Sequence, residues 1–139
     1  MNVLFDTNVI LDVLLEREPF LDPAAKLFAL VDNGRIKGSI CATTVTTVFY
    51  IAAKDFGQRR ARDQVHALLG LFEVAPVDRD VLDGALDSDF ADYEDAVLHE
   101  SARAIGATAI VTRDRRDFAN SAIPALDPQE LLAAIATSA

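Results

Sequence analysis

The chain has 139 residues, of which 51% are hydrophobic and 25% charged, and this size and composition predict one ordinary globular domain spanning 1–139. No apolar run approaches the ~20 residues that a membrane span needs, and the single cysteine, Cys41, excludes an internal disulfide and a cysteine-based zinc site. The net charge of −9 argues, taken alone, against nucleic-acid binding, because phosphate contacts favour basic surfaces. The N-terminus shows neither a basic leader nor a cleavage site, so we expect no signal peptide and a cytoplasmic location.

Short apolar runs alternate with longer amphipathic segments along the first half of the chain. The predicted elements are a strand at 3–5, helices at 9–15 and 22–33, a strand at 36–41, and helices at 43–54 and 58–71. Thr7 or Asn8 is the expected N-cap of the first helix. The helix at 43–54 is expected despite its several threonines, whose branched side chains lower helix propensity.

The same alternation continues through the second half. The predicted elements are a strand at 73–77, helices at 78–86 and 92–105, a strand at 108–112, an edge strand at 124–126, and a last helix capped by Asp127 with Pro128 in its first position. Such alternation predicts an α/β fold with three layers, in which a central, mostly parallel sheet is flanked by helices on both faces.

Three carboxylates occupy positions where a charge requires an explanation. Asp6 and Asp114 follow the apolar strands at 3–5 and 108–112, and ligands of parallel sheets bind beyond the carboxyl ends of the strands. Asp95 lies on the apolar stripe of its helix, where an unpaired charge is costly. If these residues converge, their hard oxygen ligands favour Mg²⁺ or Mn²⁺ over zinc. Position alone leaves open whether Asp6 is a ligand or a turn-capping residue.

Other polar residues near these three have more ordinary interpretations. Asp92 lies on nearly the same helix face as Asp95, although a helix cap is the preferred interpretation for it. Glu94 is rotated by about 100° from Asp95 and is expected to face elsewhere. His66 is expected on a helix surface, and His99 is expected to be exposed rather than to support a metal ligand.

The basic residues are mostly arginines and are grouped at 59, 60 and 62 and at 113, 115 and 116. Arginine suits phosphate through its planar, bidentate fork. Either group can also be an ordinary solvated surface. The second group is the better functional candidate because of its acidic neighbours.

Three segments together resemble the motifs of PIN-domain nucleases. These are FDTNVILDVLLEREPF at the start, EDAVLHESARAIGA around Asp95, and AIVTRDRRDF near the end. Their order and spacing also fit, so the resemblance extends over nearly the whole chain. In particular, the chain resembles the toxins of VapBC-type toxin–antitoxin pairs.

The resemblance implies a metal-dependent endoribonuclease that leaves 5′-phosphate and 3′-hydroxyl ends. It implies Asp6 and Asp95 as principal metal ligands, Asp114 as the acid of the closing motif, and Asp117 as an auxiliary ligand. The remaining implied site residues are Asn8 and Thr112, which would hold the carboxylates in place, and Arg113 or Arg116, which would contact a substrate phosphate. The implied partners are RNA, a cognate antitoxin protein and a second copy of the chain in a homodimer, and no membrane is involved.

One position departs from the family pattern. PIN domains usually carry a glutamate on the helix after the second strand, and here Thr47 stands at the corresponding place. Asp55 is no substitute, because eight residues along a helix correspond to about 12 Å. A strict two-ion mechanism is therefore in doubt, and an alternative is a weakened PIN domain that acts mainly as a protein-binding partner.

Two other classes of acidic α/β protein fit less well. A phosphoacceptor receiver domain needs a lysine after a late buried strand, where this chain has Arg113, and an aspartate at the end of a middle strand, where the strand at 36–41 has none. A phosphatase of the haloacid dehalogenase type needs an Asp-x-Asp pair after the first strand, and here Asn8 occupies the second position.

Overall fold

A computed structural model describes residues 1–138. The strands are β1 (Asn2–Phe5), β2 (Lys37–Cys41), β3 (Glu73–Ala75), β4 (Ala109–Val111) and β5 (Ala125–Leu126). The helices are α1 (Thr7–Leu14), α2 (Leu21–Asp32), α3 (Ala42–Phe56), α4 (Gln58–Leu71), α5 (Arg79–Leu86), α6 (Tyr93–Ala104) and α7 (Pro128–Thr137), with a 3₁₀ turn at Arg115–Phe118. Every predicted element is present, with ends shifted by a few residues at most.

The strands form one sheet in the order β3-β2-β1-β4-β5, and all four strand pairings within residues 1–138 are parallel. The predicted three-layer α/β architecture is therefore confirmed. The chain moves to one side of β1 for β2 and β3 and to the other side for β4 and β5. This change of direction lies between β1 and β4, the position at which open parallel sheets bind ligands.

Alternate residues of β1 point into two separate hydrophobic cores. Val3 and Phe5 pack with helices α1, α2, α3, α4 and α7, whereas Leu4 packs with α5 and α6 on the opposite face. Phe5 also contacts two aromatic rings edge to face, with centroid distances of 6.0 Å to Phe28 and 4.9 Å to Phe72. Helices therefore cover both faces of β1, which explains its continuous apolar sequence.

Gly38 in β2 is fixed by close packing. A β-carbon at this position would lie 2.8 Å from the ring of Phe72 and 2.8 Å from Val31. Only glycine lets β2 approach this part of the core without displacing its neighbours.

The start of α1 differs from the prediction. Asp6 itself is the N-cap and accepts a hydrogen bond from the backbone N–H of Thr7, whereas Thr7 or Asn8 was expected. The prediction was wrong because the helix begins directly after β1, with no intervening turn residue. The predicted cap of α7 is confirmed, since Asp127 and Glu130 form a reciprocal capping box with Pro128 in the first turn.

Within residues 1–138, none of the helices has the length and apolar character required to cross a bilayer.

Candidate active site

An acidic pocket of about 320 Å³ opens at the carboxyl ends of β1 and β4. Because the two strands are parallel neighbours, the residues that follow them emerge at the same edge of the sheet. Residues at the start of α6 and residues of α3 also line the pocket. The acidic residues that line the pocket are Asp6, Asp92, Glu94, Asp95, Asp114 and Asp117.

Asp6 lies at the base of the pocket and is 7% exposed. Its carboxylate accepts hydrogen bonds of 2.8 Å from the Thr7 backbone and 2.8 Å from the Thr112 hydroxyl. Of the two interpretations left open by the sequence, the capping role is therefore confirmed, and the ligand role stays a prediction for a residue that also lines the pocket. Burial raises the pKa of Asp6, and these two hydrogen bonds oppose the rise.

Thr112 connects Asp6 to Asp114. While its hydroxyl donates to Asp6, the same oxygen accepts a 3.0 Å hydrogen bond from the backbone N–H of Asp114. The exposed carboxylate of Asp114 also accepts a 3.3 Å hydrogen bond from the side-chain amide of Asn8. Thr112 and Asn8 thus orient the acids that follow β4 and β1, and Asp117 enters the pocket from the 3₁₀ turn.

Asp95 occupies the first turn of α6. The N-cap residue Asp92 accepts a 2.9 Å hydrogen bond from the Asp95 backbone N–H, so Asp92 is both a helix cap and a pocket residue. Burial and the nearby charges of Asp92 and Asp6 raise the pKa of the half-buried Asp95 carboxyl to about 7. Carboxylates that raise one another's pKa in this way would be stabilised by a cation between them.

The donor set of the acidic pocket is suitable for a hard divalent cation. Carboxylate oxygens are the ligands that Mg²⁺ and Mn²⁺ prefer, and Asn8 and several hydroxyls supply further oxygen donors. Among the side chains of residues 1–138, no three His, Cys, Asp or Glu groups are arranged closely enough to form a ready-made metal cluster. The assignment of Asp6, Asp95, Asp114 and Asp117 as ligands stays a prediction.

The α3 wall of the pocket carries hydroxyls. Thr43 and Thr47 line it, and the Thr47 hydroxyl donates a 3.1 Å hydrogen bond to the Thr43 carbonyl. Thr44 is buried beside them and shares a 2.9 Å hydrogen bond with the Thr7 hydroxyl. Where the resemblance predicts a glutamate, the pocket therefore presents a short, neutral side chain.

Two expectations about neighbouring residues are wrong. Glu94 lines the acidic pocket instead of facing elsewhere, because the start of α6 contributes neighbouring residues, Asp92 and Asp95 as well as Glu94, to the same pocket. His99 is 4% exposed, lies 2.9 Å from Glu100 and accepts a hydrogen bond from the Ala122 backbone, so it is a buried structural residue. His66 is exposed on α4, as expected.

The arginines that follow β4 have different environments. Arg113 binds Asp12 through two hydrogen bonds of 2.7 and 3.2 Å, and Arg115 forms a 3.1 Å pair with Glu130. Arg116 is exposed beside Asp95 and Asp117, and within residues 1–138 it makes no ion pair with an acidic side chain. Of the two phosphate contacts that the resemblance implies, Arg116 is therefore the available one.

Asp12 is a residue that the sequence analysis did not single out. Its side chain is fully buried in α1 and is compensated by Arg113, with the Arg17 guanidinium 3.9 Å away. An aspartate inside the otherwise apolar run from Val9 to Leu15 was the available signal, because a buried acid requires a paired base. The pair joins α1 to the segment that carries Asp114 and so helps to position the pocket.

Comparison with known proteins shows which family model and which solved structures the chain resembles. A family model described as the PIN domain matches residues 2–116. The comparison with curated protein sequences gives no match.

Solved structures with the same fold include toxin–antitoxin proteins. A toxin–antitoxin complex from Klebsiella pneumoniae is 25% identical, with a TM-score of 0.68 over 91% of this chain and 97% of that one. FitAcB from Neisseria gonorrhoeae is 18% identical, with a TM-score of 0.69 over 91% and 98%. VapC20 from Mycobacterium tuberculosis, a toxin that cleaves the sarcin–ricin loop, is 14% identical, with a TM-score of 0.62 over 78% and 86%.

Proposed function

The chain belongs to the PIN-domain family, and from this premise we propose that it is an Mg²⁺- or Mn²⁺-dependent endoribonuclease and the toxin of a toxin–antitoxin pair. The observation that carries the proposal is the acidic pocket, in which Asp6, Asp95, Asp114 and Asp117 converge from three separate segments of the chain. We expect the protein to act in the cytoplasm and to leave 5′-phosphate and 3′-hydroxyl ends.

Asp6, Asp95 and Asp114 would hold the cation, with Asp117 as an auxiliary ligand. A divalent ion bound there supplies Lewis-acid polarisation of the scissile phosphate and lowers the pKa of the attacking water. The protein supplies orientation, because the Thr112 hydroxyl fixes the Asp6 carboxylate and the Asn8 amide fixes that of Asp114. Arg116 would contact a substrate phosphate beside the pocket.

The proposal is tested by incubating the purified protein with total RNA in Mn²⁺, Mg²⁺ or EDTA. We expect cleavage only with metal, and we expect Asp6→Asn and Asp95→Asn each to abolish it while the domain stays folded. Both substitutions remove a charge but keep the shape of the side chain. Asp55→Asn is the matched control, because Asp55 is an exposed acid on α3 that is not among the residues lining the pocket.

Circular dichroism and thermal melts would establish that each variant is folded. Undiminished cleavage in EDTA, or cleavage at the rate of the unmodified protein by a folded Asp6→Asn or Asp95→Asn variant, would contradict the proposal.

A second candidate function is protein binding by a PIN domain with weakened catalysis. The observation in its favour is the neutral Thr47 on the α3 wall of the acidic pocket. In either case we propose an antitoxin partner that inserts a lysine or arginine into the pocket, since charge complementarity directs such association. Several of the structural neighbours are toxin–antitoxin complexes. A homodimer is proposed separately, because the resemblance to PIN-domain toxins implies one.

Calorimetric titration with metal separates the two candidates. Saturable binding of Mn²⁺ that Asp95→Asn eliminates would favour the nuclease. An absence of binding at millimolar Mg²⁺ and Mn²⁺ would favour the protein-binding candidate.

A further inference from the structure

A second cavity, of about 480 Å³, adjoins the acidic pocket, and we call it the side cavity. Asp114 lines both spaces, so the two spaces lie on either side of, or around, the same acidic side chain. The other lining residues come from the segment at the start of α2 and from the start of α7, with Phe20 and Pro128 as apolar residues and Gln129 as a polar one.

The side cavity has the lining of a site for a flat ring. Phe20 is 37% exposed, whereas the other phenylalanines of residues 1–138 are buried or half-buried. The Arg113 guanidinium lies 3.9 Å from the centroid of the Phe20 ring and thereby supports it from one side. Two prolines, Pro19 and Pro23, extend the apolar wall, and the exposed Gln129 amide can both donate and accept hydrogen bonds.

Charge excludes a phosphate from this space. Arg113 is the only basic side chain among the residues that line the side cavity, and its charge is paired with the buried Asp12 through hydrogen bonds from Nε and Nη2. The acids Asp114 and Asp127 also line the cavity and would repel an anion. The complementary ligand is therefore neutral, planar and capable of hydrogen bonding, which describes a nucleobase.

We propose that the side cavity binds the base of a nucleotide next to the scissile phosphate, with Phe20 as stacking platform and Gln129 as hydrogen-bonding partner. Proteins commonly read single-stranded RNA by stacking splayed bases on aromatic side chains and bonding their edges. This inference rests on the proposed ribonuclease function and adds to it a site of base selection. Phe20 and Gln129 would thus act on the choice of the cleaved bond.

The test uses an RNA oligonucleotide in which the protein cleaves one mapped bond, and a set in which each flanking nucleotide in turn is made abasic. For the unmodified protein, we expect one abasic position to lower kcat/KM about tenfold, which is within the range found for stacking of a base on an aromatic ring. Phe20→Ala should lower kcat/KM for the intact RNA by a similar factor. When Phe20→Ala is given the abasic RNA, kcat/KM should be no lower than with either change alone, because both changes remove the same contact.

Two further variants keep the test decisive. Phe20→Leu retains apolar volume against Arg113 and should therefore stay folded. It should still lose the coupling between residue 20 and the abasic position, which distinguishes lost stacking from misfolding. Tyr50→Ala is the control, because Tyr50 is a 72% exposed aromatic residue on α3 that does not line the side cavity.

The inference is overturned if the unmodified protein cleaves RNA but the abasic penalty persists in full in Phe20→Ala and Phe20→Leu. The same result would be obtained if the side cavity bound a segment of an antitoxin instead of a base. If the unmodified protein does not cleave RNA with any metal, the proposed function fails first and the inference fails with it.

Discussion

Single acidic residues in this protein have more than one structural role. Asp6 caps α1, receives a hydrogen bond from Thr112 and lines the acidic pocket. Asp92 caps α6 and lines the same pocket. Because capping N–H groups stabilise an anion, the helix starts that fix these side chains also lower the cost of placing several acids together.

The stability of the metal-free protein is expected to depend on Asp95. A carboxyl whose pKa rises from 3.8 when unfolded to about 7 when folded binds its proton more tightly in the folded state. Stability should therefore increase as pH falls through 7, and it should be lowest above that pH. Asp6 and Asp12, whose pKa values are also raised, act in the same direction.

Asp95→Asn removes this dependence and provides the measurement. The measurement is urea unfolding in EDTA at pH 8.5 and at pH 6.5. Between these two values, the free energy of unfolding should rise by about 1 kcal/mol more in the unmodified protein than in Asp95→Asn. Burial lowers the pKa of His99 and opposes the gain near pH 6.5, but it affects both proteins equally, so the comparison cancels it. Equal changes in the two proteins would show that folding does not raise the pKa of the Asp95 carboxyl.

At the scale of elements, the sequence predicted the strands and helices because their signals are local. Apolar runs such as Val3–Phe5 and residues 109–111 marked the buried strands, and Asp127 with Pro128 marked the start of α7. The placement of Asp6 and Asp114 at one sheet edge was also predicted, since parallel strands bring their carboxyl ends together, whereas the approach of Asp95 on α6 was only a condition of the proposed site.

Features that depend on tertiary contact were not predicted. The exposure of Glu94 to the acidic pocket depends on where α6 crosses the sheet edge, and the burial of His99 depends on its contacts with Phe90 and Ala122. The pairing of Arg113 with Asp12 joins residues 101 positions apart. Helical periodicity contains no information about these distances.

The α3 wall of the acidic pocket is expected to influence how tightly a metal ion binds. Thr47→Glu would add a carboxylate donor to the α3 wall, where Thr47 now lines the pocket. We expect Mn²⁺ to bind about tenfold more tightly, or by about 1.4 kcal/mol, because a further hard oxygen ligand is added. Without metal, the same variant should be less stable at pH 8, because its charge adds to those of Asp6 and Asp95.

Thr46→Glu is the matched control for this change. It alters helix propensity and net charge identically, but Thr46 is exposed and is not among the pocket residues, being rotated by about 100° along α3. Calorimetric titration of both variants with Mn²⁺ would decide the matter. Equal affinities for Thr46→Glu and Thr47→Glu would show that α3 does not face the ion.

At the scale of the whole molecule, a net charge of −9 must be reconciled with an anionic substrate. Several arginines are already occupied, since Arg113 pairs with Asp12, Arg115 pairs with Glu130, and Arg60 lies 4.0 Å over the ring of Phe56. A protein with few available cations should release few counterions when it binds RNA. Its affinity should therefore depend only weakly on salt.

We expect Arg116 to contribute most of the remaining salt dependence of RNA affinity. The measurement uses an Asp6→Asn background, which we expect to prevent cleavage. In this background, Arg116→Ala should weaken RNA binding. It should also reduce the slope of log affinity against log salt by about 0.7, the value for one phosphate contact on a single strand. Arg59→Ala is the control, because Arg59 is exposed on α4, outside the acidic pocket. Fluorescence anisotropy with a labelled RNA between 50 and 300 mM salt would measure both slopes. An unchanged slope in Arg116→Ala, or an equal reduction in Arg59→Ala, would mean that the RNA contacts another surface, and the arginines of α4 would then become the leading candidates.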